Sequence, residues 1–287
     1  MIDSRPLHLA EGRLAGLSWG DARAPTWLAL HGWLDNAASF SRLAPRLVER
    51  LGIRVVAIDF SGHGLSRHLT GGRDYALWDY CHDLLDACDH LGLERATLLA
   101  HSMGAGVACL TAAALPERID RLMLLDGLGA VTTEAAEAPR QLRKGLLAHR
   151  RTVSPPPSYP DIRTAVAARV AGGATPIDAE TAEPLVRRNL EPLTDGHLAL
   201  RTDGRLLRPS PVRLDRAQAL AMLGAIECPV LLVEGETGIL GSREPASRAR
   251  AAVPRLDRRV LPGGHHLHLE PGAVEGVARV IVDWNRT

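Results

Sequence analysis

Residues Arg95–Gly106 read RATLLAHSMGAG. A short apolar run leads into Ala100-His101-Ser102-Met103-Gly104 and then directly into an Ala-rich helical stretch. This is the setting in which G-x-S-x-G builds a nucleophile elbow, with Ala100 in place of the first Gly. The demand is steric. A serine at the tip of a strained strand-to-helix turn needs small residues two positions before and two after, so that strand and helix can approach. Ser102 is therefore the candidate nucleophile. The bland reading is an ordinary turn in which Ser102 only caps the helix.

Outward from this segment, short apolar runs alternate with amphipathic stretches. Arg13–Gly20, Thr26–Leu30, Arg54–Phe60, Ala96–Ala100, Leu122–Leu125, Pro229–Val233 and Arg258–Leu261 read as strands. In Leu77–Leu91, Leu77, Cys81, Leu84, Leu85, Cys88 and Leu91 recur near a 3.6 period, which predicts a helix. Continuous apolar strands separated by helices predict an α/β fold with a mostly parallel central sheet buried on both faces. The first two runs fit an antiparallel lead-in. The rhythm breaks after Asp126: residues 130–214 show no strand, a Pro-rich stretch at Ser154-Pro155-Pro156-Pro157, and short Ala/Arg/Leu-rich helical pieces. The expected organisation is a core of 1–129 and 215–287 carrying a helical cap at 130–214.

Bulk properties narrow the function. The 287 residues carry a net charge of +1, which gives no support for broad capture of nucleic acid or an anionic membrane. The first residues have charges and no apolar run, and no stretch of about 18 apolar residues predicts a membrane span. Cys81, Cys88, Cys109 and Cys228 form no C-x-x-C pair and no zinc spacing, so reduced thiols, no metal and a cytoplasmic location are expected. No cofactor is expected either.

Two further features follow the order that acyl transfer requires. After Thr26–Leu30 comes His31-Gly32-Trp33-Leu34-Asp35-Asn36, a turn able to aim the Trp33 N–H at the site. With the N–H of Met103 it would form an oxyanion hole. Asp35 or Asn36 otherwise caps the next helix. Near the C-terminus, Pro262-Gly263-Gly264-His265-His266-Leu267-His268 follows the last strand. His265 directly follows the turn and is the candidate general base; His266 and His268 are expected to face the surface or the helix start.

Together HGWLDNAASF, AIDFSGHGLS, LLAHSMGAG, LLLDG and PGGHHLHLEP resemble the α/β-hydrolase superfamily over essentially the full chain, nearest the serine hydrolase-like proteins beside haloalkane dehalogenases and epoxide hydrolases. The resemblance marks Asp59–Ser66 as the D-x-x-G-H-G-x-S loop, a structural turn without a catalytic role for His63. It places the orienting acid at the G-x-x-D position after Pro229–Val233, where this chain has Gly235-Glu236-Thr237-Gly238. Some members carry the acid one strand earlier, which matches Asp126; Glu236 and Glu234 are the alternatives.

The resemblance implies a serine hydrolase acting on a small-molecule carboxylic ester through Ser102, His265 and Asp126. C–C bond, lactone or thioester hydrolysis by the same residues is the alternative, and a vestigial ligand-binding member is the alternative of another class. Haloalkane and epoxide chemistry in this family needs an Asp nucleophile, and the epoxide branch needs cap tyrosines; 130–214 contains only Tyr159. A His base predicts activity that falls below an apparent pKa near 6–7. The insertion is expected to give the pocket a mainly aliphatic wall. Arg143, Arg150, Arg151, Arg187 and Arg188 read as solvated, and Trp33 and Phe60 line either pocket or core. Oligomeric state is not legible.

Overall fold

A computed structural model describes residues 2–71, 74–173, 175–242 and 244–286. The core elements run β1 (Arg5–Leu9), β2 (Leu14–Trp19), β3 (Thr26–Leu30), α1 (Leu43–Leu51), β4 (Arg54–Ile58), α2 (Asp79–His90), β5 (Ala96–His101), α3 (Met103–Ala114) and β6 (Ile119–Leu125). There follow α4 (Ala138–His149), β7 (Ser158–Tyr159), α5 (Ile162–Gly172), α6 (Ala179–Arg188), β8 (Leu190–Pro192) and β9 (Leu198–Leu200). The chain closes with α7 (Arg216–Gly224), β10 (Val230–Gly235), α8 (Glu244–Ala252), β11 (Leu256–Leu261) and α9 (Val274–Asn285).

Among the described residues one eight-stranded sheet has the order β1-β2-β4-β3-β5-β6-β10-β11. From β4 to β11 every pair is parallel, while β2 is antiparallel to both β1 and β4. The antiparallel lead-in is thus β1 and β2; Thr26–Leu30 lies parallel inside the sheet. Alternate residues of the central strands feed two cores. Leu98, Ala100, Leu122, Leu124 and Leu232 pack with Leu84 and Cys88 of α2 and Val107 and Cys109 of α3. Leu99, Met123, Leu125, Leu231 and Val233 pack with Leu47 of α1 and Val277 and Ile281 of α9. Helices on both faces are what such all-apolar strands require. Cys88, Cys109 and Cys228 are buried free thiols and Cys81 is half-buried.

The segment after β6 leaves the sheet and returns through α7. It is not purely helical: β7, β9 and β8 form a second, three-stranded antiparallel sheet. Strands of two or three residues, one ending in Pro192, are too short to show a period, which corrects the all-helical expectation. Asp161 and Asp178 cap α5 and α6, and Asp215 with Gln218 makes a capping box that starts α7. Ala165, Val166, Ala182 and Val186 give the insertion a small core of its own, with Tyr159 packed against it. Among the described residues no helix is long and apolar enough to cross a membrane.

Candidate active site

Parallel strands direct their carboxyl ends to one edge of the sheet, where open α/β folds bind their ligands. There β3 delivers His31–Trp33, β5 delivers Ser102, β6 delivers Asp126 and the loop after β11 delivers His265. Ser102 sits at φ 51°, ψ −112°, between the end of β5 and the first residue of α3. That conformation is strained for a side-chain-bearing residue and lifts the hydroxyl clear of the backbone. The elbow holds because its N–H donates to Leu125 O at 3.1 Å. It also holds because Gly104 lets α3 meet β3: a Cβ there would lie 2.4 Å from Leu30 O. The second small residue of the motif is therefore obligatory, and fully buried Ala100 fills the first.

Around that hydroxyl the structure brings three side chains together. Ser102 Oγ lies 3.0 Å from His265 Nε2, and His265 Nδ1 lies 2.7 Å from Asp126 Oδ2. The Nδ1–H donates to the carboxylate, leaving Nε2 to accept from the serine. Asp126 is fully buried, takes φ 41°, and also accepts backbone N–H bonds from Ile239 at 2.8 Å and Gly235 at 3.3 Å. Gly238 faces this carboxylate: a Cβ at 238 would lie 2.1 Å from Asp126 Oδ1. The absence of an acid at 238 and the presence of one at 126 are one packing arrangement. The alternatives lie elsewhere. Glu234 is buried in ion pairs with Arg250 (2.7 Å) and Arg258 (2.9 Å), and Glu236 is exposed. Burial, with His101 adding to it, lowers the His265 pKa below that of a free imidazole, opposed by Asp126. The neutral, proton-accepting ring thus persists to lower pH than an unperturbed histidine near 6.5 would.

Trp33 and Met103 line the same cavity as Ser102. As the first residue of α3, Met103 has an N–H with no intrahelical acceptor. The neighbouring Leu34, at φ 63°, makes the tight turn after Trp33. Trp33 is 42% exposed, with its indole N–H on Leu206 O, whereas Phe60 is wholly core. The cavity is about 710 Å³ and draws on both the sheet side and the insertion. Leu77, Leu110, Leu128, Leu206, Leu214 and Leu240 give it an aliphatic wall, and Trp33, Trp78, Tyr75 and Tyr80 an aromatic one; Lys144, Arg205, Arg208 and Arg213 also line it from the insertion, which corrects the mainly aliphatic expectation for that side.

Several expectations need correction. His266 and His268 are buried (3% and 0% exposed), not surface-facing. His266 Nε2 lies 3.1 Å from Asp35 Oδ2 and His268 Nε2 lies 2.8 Å from Ser39 Oγ. Asp35 caps nothing; burial would raise its pKa, but His266 and His101 hold it well below the carboxylate range. Asn36 does cap, accepting from Ala38 N, and also donates to Leu185 O in the insertion. Arg188 is not solvated: it forks onto the fully buried Asp59 at 2.8–3.1 Å. Arg143, Arg150, Arg151 and Arg187 are exposed as expected, Arg187 pairing with Glu183. His63 is buried with Nδ1 on Ser61 O, and His31 accepts from Phe60 N through Nε2, so neither joins the serine.

A family profile described as alpha/beta hydrolase fold matches residues 25–271. A serine hydrolase-like protein of Dictyostelium discoideum is 33% identical over 277 residues, spanning 92% of this chain and 77% of that protein. The crystal structure of a hypothetical protein from Pseudomonas aeruginosa is 44% identical over the whole of both chains, with a TM-score of 0.88. A thioesterase domain from the curacin biosynthetic pathway is 28% identical, with a TM-score of 0.82 and 99% of both chains covered.

Proposed function

Since the chain belongs to the α/β-hydrolase family, we propose that it is a serine hydrolase that cleaves a small carboxylic ester through an acyl-enzyme at Ser102. The observation that carries this reading is the hydrogen-bonded chain Ser102–His265–Asp126, 3.0 and 2.7 Å long, at a strained elbow opening into a largely apolar cavity. His265 Nε2 takes the Ser102 proton as Oγ attacks the carbonyl carbon. Asp126 fixes the tautomer and stabilises the imidazolium that forms. The N–H groups of Trp33 and Met103 receive the oxyanion, each such donor being worth about 3 kcal/mol. The imidazolium then protonates the departing alcohol as the C–O bond breaks. Water, deprotonated by His265, attacks the acyl carbon, and the proton returns to Ser102 as the acid leaves.

Residues 130–214 act in this reading as a cap that shapes the acyl pocket, and residues 1–129 with 215–287 as the catalytic core. A thioester is the second reading, favoured by the likeness to the curacin-pathway thioesterase domain at 28% identity. The same residues serve, with a thiol leaving in place of an alcohol. A fluorophosphonate probe followed by matched oxygen-ester and thioester panels of graded acyl length tests both. Labelling and turnover of wild type, absent in Ser102→Ala, are expected, with longer aliphatic acyl groups preferred. A folded wild type that does not label, or a Ser102→Ala protein that labels equally, would overturn the assignment.

A further inference from the structure

Behind the catalytic pair lies a second cluster that the proposed reaction does not use. Asp35, His101 and His266 are 3%, 0% and 3% exposed, and one ligand atom from each lies within 4.8 Å of the others. We propose that these three residues bind one divalent transition-metal ion of the zinc class.

Tautomer geometry carries the inference. His101 Nε2 lies 2.9 Å from the backbone O of His265, and a carbonyl only accepts, so this nitrogen bears the proton. The lone pair of a neutral His101 is then on Nδ1, which faces Asp35 Oδ2 at 3.6 Å. Two acceptors facing each other in a buried site need a cation between them, either a proton on Nδ1, in which form His101 lowers the Asp35 pKa, or a metal ion in its place. A metal-bound histidine has this same signature, its outer N–H pinned by a carbonyl so that the inner nitrogen presents a lone pair. His101 Nδ1, His266 Nδ1 and Asp35 Oδ1 have no hydrogen-bond partner among the described residues. On binding, His266 presents Nε2, now 3.1 Å from Asp35 Oδ2, by moving its proton to Nδ1. The two donor pairs to Asp35, at 3.1 and 3.6 Å, bracket the roughly 3.3 Å between ligands of a tetrahedral ion held at about 2.0–2.1 Å, and the pair of imidazole nitrogens lies within 4.8 Å.

Two imidazoles and one carboxylate suit zinc-class ions better than calcium or magnesium, which take oxygen ligands. The main chain is also close: a Cβ on Gly32 would lie 2.8 Å from His101 Nδ1 and 3.2 Å from Asp35 Oδ2. Arg169, 3.9 Å from Asp35 Oδ1, takes the outer side of the carboxylate and leaves Oδ2 to the ion. Through the His101–His265 hydrogen bond, occupancy would stiffen the loop that carries the proposed base.

Titration of the chelator-stripped full chain with Zn²⁺ by calorimetry tests the site without substrate, so its failure and failure of the hydrolase reading are separate results. One saturable equivalent per chain is expected. Asp35→Asn and His266→Gln should each weaken it by at least about tenfold. His82→Gln, at an exposed position on α2, should not change it. No saturable binding, binding retained in both ligand variants, or binding lost with His82→Gln would overturn the site. Should the ligand variants fail to fold, cobalt(II) bound to wild type decides. Intense visible bands of a four-coordinate ion support the buried site, and only the weak bands of a six-coordinate surface ion refute it.

Discussion

At the scale of single residues, the contest over the acid yields a direct prediction. Asp126→Asn should reduce kcat by about 10⁴-fold with little change in KM, because the imidazole loses the carboxylate that selects its tautomer. Glu236→Gln should stay within about twofold of wild type, as expected of an exposed side chain. Steady-state kinetics on folded variants check both; equal losses would return the acid to the loop after β10. The meeting of Ser102 with His265 was legible because local chemistry marks both positions: a serine among small residues between strand and helix, and a histidine just after Gly-Gly. The burial of His266 and His268 was not legible, since their partners Asp35 and Ser39 lie more than two hundred positions earlier. Nothing in HHLH announces a contact of that range.

Among elements, the strongly apolar central strands were readable because burial on both faces makes each a continuous apolar run bounded by polar segments. Missed was β1, where Pro6 and a mostly exposed face give no clear alternation. The short strands of the insertion were missed for lack of length. The fastening between α6 and the end of β4 also escaped notice, because an arginine on a helix is usually solvated and only three-dimensional proximity to Asp59 says otherwise. Arg188→Met would leave Asp59, fully buried, without its cation, although Ala37 and Leu65 N–H groups still donate to it. A loss of about 3–5 kcal/mol is expected from breaking such a pair. Chemical denaturation measures it; a loss below 1 kcal/mol would mean that the fork contributes little.

For the whole molecule, buried histidines set the acid limit. Burial lowers His31 to about 4, with Asp35 opposing the shift and His101 and Arg188 adding to it. Burial likewise lowers His63 to about 3, aided by His31 and opposed by Asp59 and Asp35. Both rings are neutral when folded and take up protons near 6.5 when unfolded. The unfolded chain therefore binds more protons below about pH 6.5. Each ring then removes up to about 1.4 kcal/mol of stability per pH unit until its folded-state value is reached, near 4 for His31 and near 3 for His63. Unfolding midpoints measured from pH 7 to 4 should fall steadily, and the double variant His31→Gln, His63→Gln should fall less steeply. A flat profile in wild type would contradict this. On this backbone any side chain at 238 would press on the carboxylate that holds His265, so the acid could sit after β10 only if the Asp126 carboxylate were displaced or removed. The two strand ends thus offer one seat for a carboxylate, and Gly238 is the empty half of that seat.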